Sequence, residues 1–267
     1  MVSMSKTGLS LIIPTYNEEG IIEKALSEIA LSLGPELANK TQVIIVDDGS
    51  DGLNNLVPLL SKKIGFQSLE VLRNSPPLGK GASIALGFKG AQGDVVGFMD
   101  VDLSTPPRYI PKAMEMLNSG GADVFIASRR GAGASVNRTQ SLTKDFLGRL
   151  LSVLAHGIAF VGMRHYSDTQ CGFKFFKNRT AKVLYKDLIA KDGLADLEIL
   201  LRANLLGMNV VEYGVEWSDL RESKRKLSRI LAGEIISIVR ILVTYKLAPS
   251  QQRKKLKDRS ESPLKKL

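Results

Sequence analysis

Short apolar runs that alternate with longer amphipathic segments are the feature that most restricts how this chain can fold. Leu9–Ile13, Gln42–Val46 and Val95–Met99 are uncharged runs of strand length, and polar turn residues follow each of them. Glu18–Leu33 and Gly79–Ala91, which lie between these runs, are typical of helices. This alternation predicts an α/β domain with a mainly parallel sheet and helices on both of its faces.

The same patterns extend the prediction through the first half of the chain. The further elements are a helix near Leu53–Lys63 and strands at Leu69–Leu72 and Asp123–Ala127. Polar residues stand where three of the predicted strands end, at Pro14–Glu18, Asp47–Asp51 and Asp100–Ser104. Because ligands of open α/β sheets collect beyond the carboxyl ends of the strands, we expect these segments to form one binding rim.

The carboxylates of this predicted rim suggest a nucleotide and a metal ion. Asp100 and Asp102 stand one residue apart after a buried strand, so they can hold a hard divalent cation that clamps a diphosphate. Asp47 or Asp48 could accept hydrogen bonds from a base N–H group or a ribose hydroxyl. The alternative is that all four are solvated turn residues, since Asp is a common turn former.

Several other kinds of site do not fit the sequence. No glycine lies five residues before Gly79, and no Ser or Thr follows Lys80, which excludes a phosphate-binding P-loop there. The first strand is not followed by the glycine fingerprint of a dinucleotide-binding fold. Cys171 is the single cysteine and the chain has two histidines, so an internal disulfide and a zinc cluster are excluded. We expect Cys171 to be a small packing residue.

Two apolar helices are predicted in the second half, at 145–163 and 228–247. The first has 14 uncharged residues from Leu150 to Met163, fewer than the roughly 20 that cross a bilayer. Glu234 and Arg240 interrupt the second. Both helices could lie in a membrane interface with their apolar faces down, and the alternative is that they are ordinary core helices.

The positive charge of the chain is concentrated at its end. Residues 221–267 contain 14 basic and 4 acidic residues, which equals the net charge of +10 of the whole chain. This segment predicts an anionic partner such as an anionic membrane surface or a phosphate-bearing substrate. Nucleic acid is not predicted, because no aromatic residue after Tyr245 offers a stacking platform.

These patterns divide the chain into four segments. Residues 1–8 are predicted to be a disordered N-terminus, 9–227 the main α/β domain with the amphipathic helix 145–163, 228–247 a C-terminal amphipathic helix, and 248–267 a basic, disordered tail. The N-terminal residues lack the apolar core of a secretory signal, so the protein is expected to be made and kept in the cytosol.

An ordered set of motifs resembles inverting family 2 glycosyltransferases. Residues 10–19, 46–50, 79–81 and 99–102 carry the resemblance in the first half. In the second half, residues 168–174 and 196–198, and Trp217 leading to Ser223-Lys224, are similar to the polyprenyl-phosphate glycosyltransferases. They resemble the dolichyl-phosphate β-glucosyltransferase branch more closely than the dolichyl-phosphate mannose synthase branch. The resemblance covers roughly residues 9 to 247.

The resemblance implies a GT-A type fold and a role for each matching position. The donor would be a nucleoside-diphosphate sugar and the acceptor a polyprenyl (dolichyl) phosphate, at the cytoplasmic face of a membrane. The implied substrate-binding residues are Pro14, Tyr16, Glu18, Asp47, Asp48, Lys80, Arg129 and Ser223. The implied catalytic residues are Asp100, Asp102, Asp196, Arg221 and Lys224, with Asp100 and Asp102 as ligands of Mg²⁺ or Mn²⁺.

Two positions depart from the family pattern, and several alternatives remain open at this point. Ser104 stands where mannose synthases often carry a metal-binding Gln, and Glu222 stands where a Gly usually precedes Ser-Lys. UDP-glucose is the expected donor and GDP-mannose the alternative. A soluble acceptor, or a membrane-docked sugar-nucleotide binding module without activity, are further alternatives. Asp196 or Glu198 could orient the sugar or the basic residues, or the two could be a solvated pair on a helix surface.

Overall fold

The chain folds around one large sheet. The structure, a computed structural model, describes residues 7–50, 53–138, 164–219 and 227–246, together with Ser250 and Lys254. Its strands are β1 (Leu9–Thr15), β2 (Thr41–Asp47), β3 (Ser68–Arg73), β4 (Val95–Met99), β5 (Val124–Ser128), β6 (Ser135–Arg138), β7 (Phe173–Lys177), β8 (Val210–Gly214) and β9 (Glu216–Asp219). Its α-helices are α1 (Glu19–Ala38), α2 (Leu53–Lys63), α3 (Lys80–Gly90), α4 (Ile110–Asn118), α5 (Asn178–Leu184), α6 (Ala195–Leu206) and α7 (Leu227–Lys246).

The large sheet has seven strands in the order β3-β2-β1-β4-β7-β5-β8. Strands β1 to β4 pair in parallel, and β5 pairs in parallel with β8. Strand β7 runs antiparallel to both β4 and β5. The mainly parallel sheet is therefore confirmed, while β7 was not predicted. Strands β6 and β9 form a separate parallel pair.

Both faces of the sheet are buried, which explains the apolar runs of the sequence. Side chains of one face, such as Ile12, Val46 and Phe98, pack with helices α3, α5, α6 and α7. Side chains of the other face, such as Ile13 and Val43, pack with α1, α2 and α4. Strands covered on both faces need apolar residues at successive positions, so they have no polar alternation.

The observed boundaries differ from the predicted ones at a few places. Helix α1 continues to Ala38 through a break at Gly34, where φ is +70° and the backbone is not helical. Thr7 and Gly8, assigned by sequence to the N-terminal segment, pack with the domain: Thr7 is buried, and Gly8 N donates a hydrogen bond to Lys40 O. The predicted helix 145–163 and nearly all of the tail 248–267 lie outside the described residues.

No helix within the described parts of the chain has both the length and the apolar character that crossing a membrane requires. Helix α7 is one of two 20-residue helices among them, and its bounds agree with the predicted 228–247 to within one residue. Its inward-facing Ile241 and Tyr245 are buried, whereas Ile236, Val239 and Val243 are each about half exposed. Since these three positions are spaced as one helical face, α7 has a buried side and an apolar exposed side.

The packing of β4 against β7 gives a first prediction. A Cβ atom at Gly97 would lie 2.2 Å from Phe175 Cδ1, so Gly97→Ala should lower the free energy of unfolding by about 1–3 kcal/mol through overpacking. Gly20→Ala, at an exposed position of α1, is the control, because nothing lies within 4 Å of its Cβ and alanine favours the helix. Urea denaturation measures both variants. Equal stability of Gly97→Ala and the wild type would contradict the described contact.

Candidate active site

The polar ends of β2, β1 and β4 lie side by side at one edge of the sheet. These three strands are neighbours and run in parallel, and Asp48 N donates to Thr15 O just beyond the ends of β1 and β2. The rim expected from the sequence is thus assembled by the sheet order. Asn17 and Leu103, in the turns after β1 and β4, have positive φ of 55°. Strained backbone of this kind is concentrated at functional sites in proteins.

An ion pair joins the first rim aspartate to the start of α3. Lys80 Nζ lies 2.5 Å from Asp100 Oδ1, and both side chains are partly exposed. Burial alone would lower the pKa of Lys80, but the charges of Asp100, Asp196 and Asp102 and the hydrogen bond to Asp100 raise it above its ordinary value. Lys80 is therefore a fixed cation beside the two candidate metal ligands.

Asp102 is positioned by the turn that follows β4. Its Oδ1 accepts a hydrogen bond from Ser104 N at 3.0 Å, and Leu103 N donates to Asp100 O at 3.1 Å. The other side of Asp100 is closed by Gly172, where a Cβ atom would come within 1.9 Å of Asp100 Oδ2. Asp100 and Asp102 remain half-buried at the mouth of the rim, so water or a ligand can reach them. Ser104, which replaces the Gln of mannose synthases, is buried.

The two aspartates after β2 organise the loops that surround the rim. Asp48 Oδ1 accepts hydrogen bonds from Asn74 Nδ2 and Leu78 N, and its Oδ2 accepts one from Gly79 N, at 2.8–2.9 Å. Asp48 thereby holds the loop that leads to Lys80. Asp47 is buried, accepts a hydrogen bond from Ser50 N at 2.9 Å, and lies 3.7 Å from Arg73.

The remaining residues implied for the nucleoside pocket line the end of β1. Tyr16 is 47% exposed, so its ring is accessible for stacking on a base. Pro14 and Glu18 are partly buried on either side of it. Asn17 N donates to Ser50 Oγ at 2.8 Å, which joins this turn to the turn after β2.

A buried ion pair lies behind Lys80. Lys174 on β7 is fully buried, and its Nζ lies 3.0 Å from Asp196 Oδ1 on α6. The Lys174 hydrogen bond goes to Cys171 O at 2.7 Å instead, and Asp196 Oδ1 has no hydrogen-bond partner among the described residues. The Nζ atoms of Lys80 and Lys174 lie 5.7 and 5.5 Å from the centre of the Phe98 ring. The two cations thus share one aromatic ring.

Arg129 is held beside the rim by a carboxylate and an aromatic ring. Its Nε and Nη2 donate to the two oxygens of Asp168 at 2.6 and 2.8 Å, and its guanidinium lies 5.3 Å from the centre of Trp217. Burial would raise the pKa of Asp168, but the hydrogen bonds and charge of Arg129 lower it to about 2. Strand β9, which carries Trp217, contacts the aspartate loop through a hydrogen bond from Ser218 N to Ser104 O.

Glu198 and Asp196 are not a solvated surface pair, because both are buried. Glu198 accepts hydrogen bonds from Ile189 N, Ala190 N, Arg202 and the Tyr245 hydroxyl at 2.6–2.9 Å. These hydrogen bonds hold Glu198 in the protein interior, and its part in orienting the sugar stays a prediction. It joins α6, the preceding loop and α7. Asp196 is the acid of the two that faces Lys80 and Lys174.

The structure adds residues to which the sequence analysis gave no role. Lys174 and Asp168 belong to the 168–174 motif, and Arg73 is the last residue of β3, where it pairs with Asp47. The sequence signal for Lys174 was its place between Phe173 and Phe175 in one apolar segment. A charge buried in an apolar strand needs a partner of opposite charge. Cys171 is buried, and burial raises the pKa of its thiol, as expected for a packing residue. Arg221, Ser223 and Lys224 lie outside the described residues.

Comparison with known proteins identifies the class to which this fold and site belong. The sequence matches glycosyl transferase family 2 over residues 10–182, from β1 into α5. The chain therefore belongs to glycosyl transferase family 2 and is a glycosyltransferase. This confirms the family expected from the sequence motifs.

Within the family, the chain is similar to dolichyl-phosphate β-glucosyltransferases. It is 32% identical over 228 residues to that of Drosophila melanogaster, covering 81% of this chain and 68% of the relative. It is 27% identical over 252 residues to that of Saccharomyces cerevisiae, covering 90% of this chain and 74% of the relative. The resemblance to the glucosyltransferase branch is confirmed.

Solved structures establish the GT-A type fold. Glucosyl-3-phosphoglycerate synthase from Mycobacterium tuberculosis, in complex with UDP, matches with a TM-score of 0.60 and 19% identity over 88% of this chain and 79% of that one. A mannosyltransferase from Pyrobaculum calidifontis, in complex with GDP-Man and Mn²⁺, matches with a TM-score of 0.56 and 17% identity over 95% and 69%. At these identities the likeness concerns the fold alone.

The Arg129–Asp168 pair predicts a pH-dependent contribution to stability. The pKa of Asp168 in the folded protein is about 2, below its ordinary value of 3.8. The ion pair therefore stabilises the fold fully above about pH 4, and this stabilisation is lost as the pH falls towards 2. Asp168→Asn should lower the free energy of unfolding by about 2 kcal/mol near neutral pH. Denaturant unfolding between about pH 6 and pH 3 should show the difference shrinking below pH 4. A difference that stays constant or grows would contradict this assignment.

Proposed function

We propose that this enzyme transfers glucose from UDP-glucose to a polyprenyl (dolichyl) phosphate, with inversion, at the cytoplasmic face of a membrane. The observation that carries the proposal is the rim in which Asp100, Asp102 and Lys80 lie together beside the polar ends of β1 and β2. The similarity to dolichyl-phosphate β-glucosyltransferases supports glucose as the sugar and dolichyl phosphate as the acceptor.

The donor set of the rim fits Mg²⁺ or Mn²⁺. Asp100 and Asp102 offer carboxylate oxygens at the open end of β4, and Mg²⁺ is commonly bound by one or two carboxylates plus phosphate oxygens and water. No group of three or more His, Cys, Asp or Glu residues forms a complete metal cage in the described structure. When bound, the cation would neutralise the charge that develops on the departing diphosphate.

The basic residues near the rim would bring the two anionic substrates together. Lys80, a cation fixed beside Asp100, would contact the donor diphosphate. Arg129, held beside the rim by Asp168 and Trp217, is proposed to contact the acceptor phosphate. Arg221, Ser223 and Lys224 are proposed to add phosphate contacts. Bringing a second anion towards a bound diphosphate requires such cations, because the two otherwise repel each other.

The transfer itself requires little proton chemistry. A phosphate monoester has a second pKa near 6, so the acceptor is largely a dianion at neutral pH and is already nucleophilic. One of its oxygens forms a bond to the anomeric carbon while the bond from that carbon to the diphosphate breaks, and UDP leaves with the electron pair. Attack opposite the leaving group inverts the configuration. Asp196, buried behind Lys80, is proposed to support this site through its charge.

A transfer assay tests the proposal directly. The protein is incubated with Mg²⁺, dolichyl phosphate and, separately, labelled UDP-glucose or GDP-mannose, and the lipid is then extracted. We expect label in the lipid with UDP-glucose. Label from GDP-mannose would make the chain a mannose-transferring enzyme. If neither donor labels the lipid while nucleotide binding is intact, a soluble acceptor or an inactive binding module would be favoured.

Asp102→Ala tests the metal assignment. The variant should lose transfer while remaining folded, because the diphosphate then departs without the cation, at a cost of several kcal/mol in the transition state. Asp94→Ala is the matched control, since Asp94 is exposed at the other end of β4. Transfer rates and thermal unfolding are measured for both. Wild-type turnover by folded Asp102→Ala, or full wild-type activity in excess EDTA, would disprove the assignment.

We propose that α7 contacts the membrane through its exposed apolar side. Ile236→Glu combined with Val239→Glu should weaken sedimentation with anionic vesicles at every salt concentration, since lost apolar burial is not restored by screening. Leu31→Glu on α1 is the control, because Leu31 is 84% exposed on a different helix. Removal of residues 251–267 should weaken binding mainly at low salt. Unchanged sedimentation of the double variant would contradict the proposal.

A further inference from the structure

The turn that carries Lys80 rests directly on the segment before α6. Ala82 N donates to Lys191 O at 3.1 Å. A Cβ atom at Gly79 would lie 2.6 Å from Lys191 O, and one at Gly81 would lie 2.4 Å from Ala195 Cβ. The backbones on both sides of Lys80 are thus in close contact with residues 191–195. The position of this segment therefore sets the position of Lys80.

Asp192 fixes the 191–195 segment at its centre. Its Oδ1 accepts a hydrogen bond from Leu194 N at 2.9 Å, which closes the turn before α6. Its Oδ2 accepts one from Ser237 Oγ on α7 at 2.8 Å. One carboxylate therefore joins the local turn to a helix that lies far along the chain.

Helix α7 is itself held firmly against the domain near its other end. The Tyr245 hydroxyl donates to Glu198 on α6 at 2.7 Å and accepts a hydrogen bond from Arg202 Nε at 2.7 Å. Tyr245 and Ile241 are buried. Ser237, two turns earlier, is thereby presented to Asp192 by a helix that cannot turn freely about its axis.

We infer that Asp192 is a positioning residue of the donor site. By joining Ser237 to the 191–195 segment, it supports the Gly79–Gly81 turn and holds Lys80 against Asp100. Asp192 has no proposed contact with substrate. The inference rests on the proposed function in one respect, the contact between Lys80 and the donor diphosphate. It makes α7 a structural part of the donor site as well as the proposed membrane contact.

The test compares paired substitutions at both ends of the hydrogen bond. Asp192→Ala and Ser237→Ala should raise the KM for UDP-glucose and the Kd for UDP with Mg²⁺ by about three- to tenfold, the effect of one lost hydrogen bond. The KM for dolichyl phosphate should not change. Asp192→Asn and Ser237→Thr should retain nearly wild-type donor affinity, because each keeps a hydrogen-bonding group in place. Ser27→Ala is the control, since Ser27 is exposed and its hydroxyl donates to Glu23 O within α1.

Amide hydrogen exchange provides a readout that a general loss of stability would not reproduce. In Ser237→Ala, exchange should become faster at Ala82, which donates to Lys191 O, and stay unchanged in β2. Wild-type donor affinity and wild-type exchange at Ala82 in both alanine variants would overturn the inference alone. A wild-type protein that binds no nucleotide would overturn the proposed function, and the inference with it.

Discussion

The ion pair between Lys80 and Asp100 is the interaction on which the rest of the site depends. It joins the end of β4 to the start of α3 at 2.5 Å, so it fixes the two elements that form the mouth of the rim. Asp48 holds the loop that precedes Lys80, and residues 191–195 support the turn from behind. A cation in this place would be available to the phosphate groups of an anionic ligand.

The second constraint is the burial of charge behind this pair. Lys174 with Asp196, and Arg202 with Glu198, are ion pairs whose side chains are almost fully buried. Burying two charges costs several kcal/mol per ion unless each is paired and hydrogen-bonded, so such pairs fix geometry more than they add stability. Lys174 and Asp196 lie behind Lys80, whereas Arg202 and Glu198 join α6 to α7 and to the loop before α6.

The parts of the fold that could be predicted from sequence are those with local signals. The buried strands before Pro14, Asp48 and Asp100 are uncharged runs of a length that strands share, and their parallel order follows from the intervening helices. Strand β7 could not be predicted in the same way. Its antiparallel insertion between β4 and β5 depends on contacts distant in sequence, and Lys174 interrupts its apolar pattern.

In the candidate site, too, only the residues with a local sequence signal were predicted. Asp100 and Asp102 are recognisable because they follow a strand directly, whereas Asp168 and Asp192 gain their roles from partners far along the chain, Arg129 and Ser237. Glu198 shows that closeness in sequence does not place two residues in the same site. It lies two residues after Asp196 but contacts Arg202 and Tyr245, because nearby positions of a helix face different neighbours.

The central claim is that Asp100 and Asp102 bind the cation of a nucleotide complex with Lys80 on the phosphates. Crystals grown with Mn²⁺ and UDP, measured at the manganese absorption edge, locate the ion by its anomalous signal. We predict one peak within about 2.3 Å of an oxygen of Asp102 and of the diphosphate, with Asp100 as a direct or water-bridged ligand. Lys80 should turn from Asp100 towards a phosphate oxygen. UDP bound with no manganese at these aspartates, or bound elsewhere in the fold, would contradict the account.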